Sequence, residues 1–507
     1  MDVSPVGGGD ITSNDFGYAH APYAYPENFS TNTTYTLTAV PNTAGGYAFS
    51  HWEIQTITIA CSGDTISTSN AIQNPLTVSI ATQGQYVTAR FIEVSAAPAL
   101  YFPHVSTKSP WQTEIAVINT NTDRNMIGSL RAMSDNGDLL DAKSITLYPR
   151  GRRQFNVADW FTDPDRIGYI VFISDVEGAV GYTKFFQEGL FRTAIPAVSE
   201  INEADIYIPH IASNDTFWTG ISLVNTSIET KTLTITFNDG RRSTVTLNAN
   251  EHKSLTISSL FNGQQQPGIK SAVIGNAAGI IGLEMFGTDN QLDGILLTDQ
   301  TDATIYYPHV ADTTKWWTGI VAYNPSNSDS RITITPYSAS GTALAASSLS
   351  IAGKQKYVGV VKNLDLPDQT AWFKITATQP LSGFELFGTL DGSQLAAYAE
   401  KSGSGAKEGV FAKIEKSGWT GIAFVNTETG AASVTLSAYH NGGTLLATRT
   451  ITVGGHAKVV NLVESMFADQ DISNATYITY SADKYVVGFQ LNGSSDNTML
   501  DGLPSLD

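Results

Sequence analysis

Cysteine is all but missing: this chain of 507 residues has one, Cys61. No intramolecular disulfide can form, and a structural zinc site built on cysteine pairs is excluded. Charge is thin too. Only 15% of residues are Asp, Glu, Lys or Arg, and 47 acids against 29 bases leave a net charge of −18. Such a surface repels nucleic acid, whose phosphates call for clustered Lys and Arg, and it repels anionic membranes. The one basic cluster, Arg150, Arg152 and Arg153, reads as a turn. No apolar run approaches the roughly 18 residues of a spanning helix, so no membrane insertion is expected.

What replaces charge is Thr, Ser, Asn and Gly, which suit pleated strands and their turns. The chain is also repetitive. Residues 101–119 read YFPHVSTKSPWQTEIAVIN, 207–225 read YIPHIASNDTFWTGISLVN, 306–324 read YYPHVADTTKWWTGIVAYN, and 410–426 read VFAKIEKSGWTGIAFVN. The closing asparagines recur at spacings of 106, 99 and 102 residues. Each is followed by a turn signal (Asn136-Gly137, Asp239-Gly240, Ser340-Gly341, Gly442-Gly443) and then by a second landmark: VGYTKF, IGLEMFGT, SGFELFGT and VGFQLNGS.

Between landmarks lie short runs of period-two alternation such as TLTITFN, SRITITPYS and SVTLSAY, the mark of strands. About 100 residues with seven or so short strands predict a β-sandwich of the immunoglobulin-like kind. The expected fold is therefore all-β. Four sandwich modules (residues 96–203, 204–302, 303–403 and 404–507) follow a small β-rich domain (1–95). Modules of this size can hold separate cores, which predicts beads on a string joined by linkers at 199–205, 298–304 and 400–409.

The first domain does not share the repeat. Its residues Tyr35–Ala39, Pro41, Gly46-Tyr47, Phe49, Trp52, Asn74-Pro75, Thr88-Ala89 and Phe91 resemble the bacterial repeat module related to the internalin B-repeat family. The stretch 54–73, with Cys61, departs from that pattern. The resemblance implies a small non-catalytic β unit that serves as spacer or adhesive element in large secreted or surface-attached bacterial proteins. The four repeats resemble unnamed β modules of secreted bacterial multidomain proteins. The opening residues do not read as a charged, then apolar, secretory leader, which fits either a cytosolic protein or a chain that starts after a removed signal peptide; the second is favoured, and the expected location is extracellular or cell surface.

Alternation divides the opening strand of each repeat into two faces. Thr113, Ile115, Val117 and their equivalents are assigned to the core. The other face carries Trp218/Gly220, Trp317/Gly319 and Trp419/Gly421. A tryptophan beside a glycine can cover the bare strand or a neighbouring module, which is the preferred reading, or it can present a platform to a sugar ring. Trp218, Trp317 and Trp419 are the candidate ligand platforms. The two landmarks also bring into register His104 with Thr183, His210 with Glu284, His309 with Glu385, and Lys413 with Gln490. A structural polar brace between these pairs is expected, because a buried polar group needs a partner. A metal or catalytic role is the weaker reading, since each copy contributes one such histidine and His51, His252 and His456 show no ligand spacing. The asparagines that end the strand are expected to cap turns through their side chains.

No G-x-S-x-G, H-E-x-x-H, P-loop or G-x-G-x-x-G is present, and no carboxylate pair is singled out for glycoside hydrolysis. No catalytic residue and no metal ligand is assigned, and the chain is read as not an enzyme. The Asp-rich turns at 288–294, 389–394 and 494–502 leave calcium as the one cofactor considered, although none matches an EF-hand loop. The functional expectation is an extracellular structural or adhesive protein, such as a filament, stalk or surface-layer subunit, that associates with itself or with other surface proteins. The alternative is a carbohydrate-binding array.

Overall fold

The computed structural model describes residues 2–4, 8–13, 18–20, 32–41, 47–58, 65–71, 74–80, 84–93, 98–311, 314–399 and 405–506. Cys61, Gly46 and linker residues 400–404 lie outside them. Strand dominates and helix is limited to single turns, so the fold is all-β as the alternation predicted.

The first domain is built from β1 (Asp2–Ser4), β2 (Gly9–Ser13), β3 (Tyr18–His20), β4 (Thr33–Pro41), β5 (Tyr47–Thr58), β6 (Thr65–Ala71), β7 (Leu76–Ile80) and β8 (Gln85–Glu93). They form two sheets, ordered β1-β8-β5-β6 and β3-β2-β4-β7. Trp52, Leu37, Val87 and Phe91 fill the space between them. Asn74 pins β4 by exchanging two 2.8 Å hydrogen bonds with the Ala39 backbone.

The first repeat contains β9 (Ala99–Phe102), β10 (Gln112–Asn119), β11 (Met126–Ser134), β12 (Leu139–Leu147), β13 (Arg152–Asn156), β14 (Ile167–Ser174), β15 (Ala179–Gln187) and β16 (Phe191–Pro196). One sheet runs β12-β11-β14-β9 and the other β13-β10-β15-β16. The second repeat copies this plan with β17 (Ile206–Ile208), β18 (Trp218–Asn225), β19 (Lys231–Phe237), β20 (Arg242–Leu247), β21 (His252–Thr256), β22 (Ala272–Gly275), β23 (Ile280–Gly287) and β24 (Leu292–Leu296).

The third repeat has β25 (Asp302–Tyr307), β26 (Trp316–Tyr323), β27 (Ser330–Tyr337), β28 (Ser347–Ile351), β29 (Lys356–Val360), β30 (Trp372–Thr389) and β31 (Leu395–Tyr398). The fourth has β32 (Ala406–Phe411), β33 (Gly418–Asn426), β34 (Ala432–Tyr439), β35 (Leu445–Val453), β36 (Lys458–Leu462), β37 (Tyr477–Ser494) and β38 (Leu500–Pro504). In these two copies one 18-residue strand, β30 or β37, runs through both sheets and joins them.

The modules are not strung separately. Their last strands stand together around one axis, with β16 beside β24 and β38, and β31 beside β24 and β38. The four repeats thus close a ring. The reason lies on the second face of the opening strand. Strands β10, β18, β26 and β33 are buried at nearly every residue. Ile115 and Val117 enter the first module's own core, whereas Ala116 and Ile118 pack on Val410, Ala412 and Tyr477 of the fourth. Likewise Val224 meets Tyr169 of the first module, Val321 meets Phe286 of the second, and Ala423 and Val425 meet Tyr337 and Trp372 of the third. Every module buries one sheet face on the module before it, and the first does so on the fourth. A head-to-tail interface repeated in this way either runs on as a filament or closes; here four copies close it.

Three of the four seams share a lock made of two turns. The glycine of one module's hairpin, held at positive φ, seats against the turn that precedes the fifth strand of the next module. Beside it an aromatic side chain donates to that turn: Tyr169 to Asn250 O (3.0 Å), Trp372 to His456 O (2.9 Å) and Tyr477 to Arg150 O (2.5 Å). Residues Asn250, His456 and Arg150 are themselves left-handed, with φ of 58°, 55° and 58°.

Candidate functional site: the seams between modules

The strand-ending asparagines are the most regular feature of the ring. Asn119, Asn225, Asn324 and Asn426 are all fully buried. In each, Nδ2 faces three carbonyls; for Asn324 these are Ser328, Ile351 and Ala352 at 2.8, 3.0 and 3.3 Å. Oδ1 accepts the backbone N–H two residues on. The turn-capping role read from the sequence is present in all four copies.

Trp218, Trp317 and Trp419 are half-buried. The Trp317 ring lies over two glycines: a Cβ on Gly388 would fall 2.3 Å from it and one on Gly319 2.9 Å. Its Nε1 donates to Thr389 O at 3.3 Å, and it packs with Phe286 and Ile295 of the preceding module. Trp419 covers Gly493 and Gly421 in the same manner. Trp218 covers Gly220 and joins a cluster that contains Phe185 and Phe191 of the first module. These rings shield bare backbone, and for Trp218 and Trp317 they also fill a seam.

The polar brace differs from expectation. His210 does not bond Glu284 through its ring, nor His309 Glu385. The imidazole Nδ1 of His210 lies 3.0 Å from Lys356 Nζ, and that of His309 2.6 Å from Lys458 Nζ. His104 Nδ1 lies 3.3 Å from His252 Nε2. Each of these partners is the first residue of the fifth strand of the following module (β21, β29 or β36). The physical reason for the correction is that a neighbouring module delivers a polar partner to the histidine, a lysine amine at two seams and a second imidazole at the third, so a partner within the same module is not required. Glu284 and Glu385 are fully buried, and no hydrogen bond of good geometry reaches their carboxyl oxygens. Burial pushes both carboxyls well above the usual range, opposed by Lys356 and Lys458 respectively. Thr183 Oγ1 likewise lacks a hydrogen bond. In the second and third copies it is the backbone N–H of His210 and of His309 that lies toward the paired Glu284 and Glu385 and opposes the rise of their carboxyls, and in the fourth Gln490 Nε2 donates to the Lys413 carbonyl at 2.9 Å.

The seam that closes the ring is built differently. Lys413 Nζ contacts Asp501 and Glu415 at 2.8 and 3.0 Å. Arg192, from the first module, contacts the same two carboxylates at 2.5 and 2.9 Å and donates to Asn492 O. Arg152, the first residue of β13, donates Nε to Ala412 O at 3.0 Å. Burial alone would raise Asp501, but Lys413 and Arg192 outweigh it and hold the carboxylate ionised. The basic cluster read as a turn thus supplies a seam contact.

Asp293 occupies the position equivalent to Asp501 and has no cation beside it. Thr193 Oγ1 reaches its Oδ1 at 2.5 Å. Burial pushes this carboxyl from 3.8 up to about 8. Its folded value lies above its unfolded one, so the stability linked to it is complete below about pH 4 and is lost as pH rises toward 8. Asp293→Asn should flatten the fall in urea midpoint between those limits. Wild type and variant with the same slope would refute the assignment. Of the other acidic turns, Asp391 and Asp496 cap their own loops. Among the described residues no three His, Cys, Asp or Glu side chains group as a metal site.

The 1–2 seam holds Ser222 and Asp135, which the sequence reading passed over, and His252, which it set aside for want of ligand spacing. Ser222 Oγ lies 2.7 Å from His252 Nε2, and His252 Nδ1 lies 2.7 Å from Asp135 Oδ1. Asp135 comes from the first module, and Ser222 and His252 from the second. The connectivity is that of a nucleophile, base and orienting acid, but Ser222 is 2% exposed. It sits mid-strand between β21 and β23, where the ladder engages the neighbouring N–H groups, so no oxyanion donors face it. Comparing copies could have singled out this set. His252 stands where the other modules have Arg152, Lys356 and Lys458, and Ser222 where they have Ala116, Val321 and Ala423.

No protein-family model matches the chain, and no curated protein matches it.

Proposed function

We propose that the chain is a non-catalytic structural or adhesive protein of the cell surface or extracellular space, in which the four repeats act as one rigid ring carrying the first domain. The observation that carries this reading is the use of the repeats' second sheet face. Each copy commits that face to its neighbour, and the tryptophans that could have served as platforms cover the chain's own glycines. The polar, acidic surface and the resemblance of the first domain to a spacer module of surface proteins support the same reading, with self-association or other surface proteins as partners.

The test is location. Antibodies against the purified ring should label intact cells of the source organism or its medium, and labelling only after lysis would overturn the proposal. One observation favours the carbohydrate-binding alternative: Trp218 borders an open cleft of about 170 Å³ that also exposes Ser254 and Thr256. Glycan-array binding by the whole chain, abolished in Trp218→Ala, would install that reading instead. No glycan binding is the expected outcome.

A further inference from the structure

At two seams the histidine of one module faces a lysine amine of the next. Lys356 Nζ stands against His210 Nδ1, and Lys458 Nζ against His309 Nδ1. At the 1–2 seam the equivalent of those lysines is His252, a second imidazole. Its Nε2 faces His104 Nδ1, so two ring nitrogens converge where the other seams hold one ring nitrogen and one lysine amine.

The spacing is that of co-ligands. Two nitrogens held at about 2.0–2.1 Å around a tetrahedral ion lie about 3.3 Å apart, and His104 Nδ1 and His252 Nε2 are 3.3 Å apart. Ser254 Oγ lies 3.1 Å from the first nitrogen and 3.4 Å from the second, which places an oxygen on the same point. Asp135 accepts from His252 Nδ1 at 2.7 Å. That fixes the proton on Nδ1 and turns the Nε2 lone pair inward, the carboxylate–histidine arrangement that orients metal-bound imidazoles. Ser222 can release Nε2, because its hydroxyl has a second acceptor in Pro103 O at 3.2 Å. The cleft beside Trp218 reaches this point, and Ser254 is exposed within it.

We propose that His104 and His252, with Ser254 as an oxygen ligand, form a binding site for one divalent transition-metal ion of the imidazole-seeking class, clasping the first module to the second. Paired imidazole nitrogens suit zinc, copper and nickel, whereas calcium and magnesium take oxygen ligands. The other seams need no such ion, since a lysine already occupies the equivalent place.

The test uses the full chain, stripped with chelator, and Zn²⁺ as probe. Calorimetry should give one ion per chain, and X-ray absorption of the zinc-loaded protein should show two imidazole scatterers. His104→Gln should weaken binding at least tenfold. Asp135→Asn should weaken it about tenfold, as removal of an orienting carboxylate does. His252→Lys copies the other two seams, so it should keep the wild-type melting temperature without zinc while losing the zinc-induced rise. That variant separates loss of the site from loss of the fold. Absence of zinc binding by the wild-type chain, or binding that His104→Gln and His252→Lys leave unchanged, would overturn the proposal.

Discussion

Asn324→Asp is expected to be the most damaging single substitution in the third module. The asparagine Nδ2 lies 2.8–3.3 Å from three carbonyl oxygens and is fully buried. Alanine removes the donor and leaves those carbonyls short of partners, a loss of about 3 kcal/mol on the usual cost of orphaned buried polar groups. Aspartate does worse, since it presents a second acceptor to three acceptors. Protonation relieves part of the conflict. The introduced carboxyl therefore has a folded pKa above its unfolded one, and the variant should recover stability as pH falls. Urea unfolding at two pH values checks both points. Asn324→Asp should lie below Asn324→Ala at neutral pH, with the gap narrowing in acid. Equal midpoints for the two variants would mean that the three-carbonyl cap does not hold the turn.

Much of each module was legible because its own core imposes period-two alternation. Ile115 and Val117, and their equivalents, could be assigned inward from their spacing alone. The docking of the other face along its whole length was not read, although a signal was present. The segments IAVI, IVAY and IAFV are continuous apolar runs, and ISLV is broken only by Ser222; such runs belong to strands buried on both faces. A sandwich that ended at its own surface would have had polar residues at Ala116, Val321 and Ala423. Module size argued for independent cores, which exist, but it said nothing about docking between them.

The partners of the histidines were hidden for another reason. His104 meets a residue 148 positions away, and His210 one 146 away. Neither contact follows from a register within a module. The pairing becomes visible only when the first residues of the fifth strands are compared as one set, and that comparison requires knowing that these residues face the preceding module. The same applies to Asp501 and Arg192, which are 309 apart and meet only because the ring closes.

Ring closure itself can be tested with an internal control, by substituting Gly443 and Gly240 with alanine. Both occupy the same place in their hairpins, with φ of 85° and 89°, so the left-handed strain of adding a Cβ is shared, about 1–2 kcal/mol. Their surroundings differ. A Cβ on Gly240 meets nothing within 4 Å, whereas one on Gly443 falls 2.1 Å from Pro149 O. That oxygen belongs to the turn of the first module on which the fourth module closes, beside the Arg152 N–H bonded to Asn441 O at 2.8 Å. Backbone on both sides leaves no flexible side chain to yield, so relief must come from separating the turns. Gly443→Ala should therefore cost about 3 kcal/mol more than Gly240→Ala, within the range of overpacking. It should also raise hydrogen exchange at the Arg152 amide and admit protease near residues 149–153, since a seam opened locally exposes its own amides. Gly240→Ala should leave those amides protected. The charged contacts around Arg192 and Asp501 would remain in Gly443→Ala, so the comparison also separates the two devices that hold this seam. If both variants lose the same stability and keep the Arg152 amide protected, the turn lock is incidental and the buried ion pairs alone close the ring.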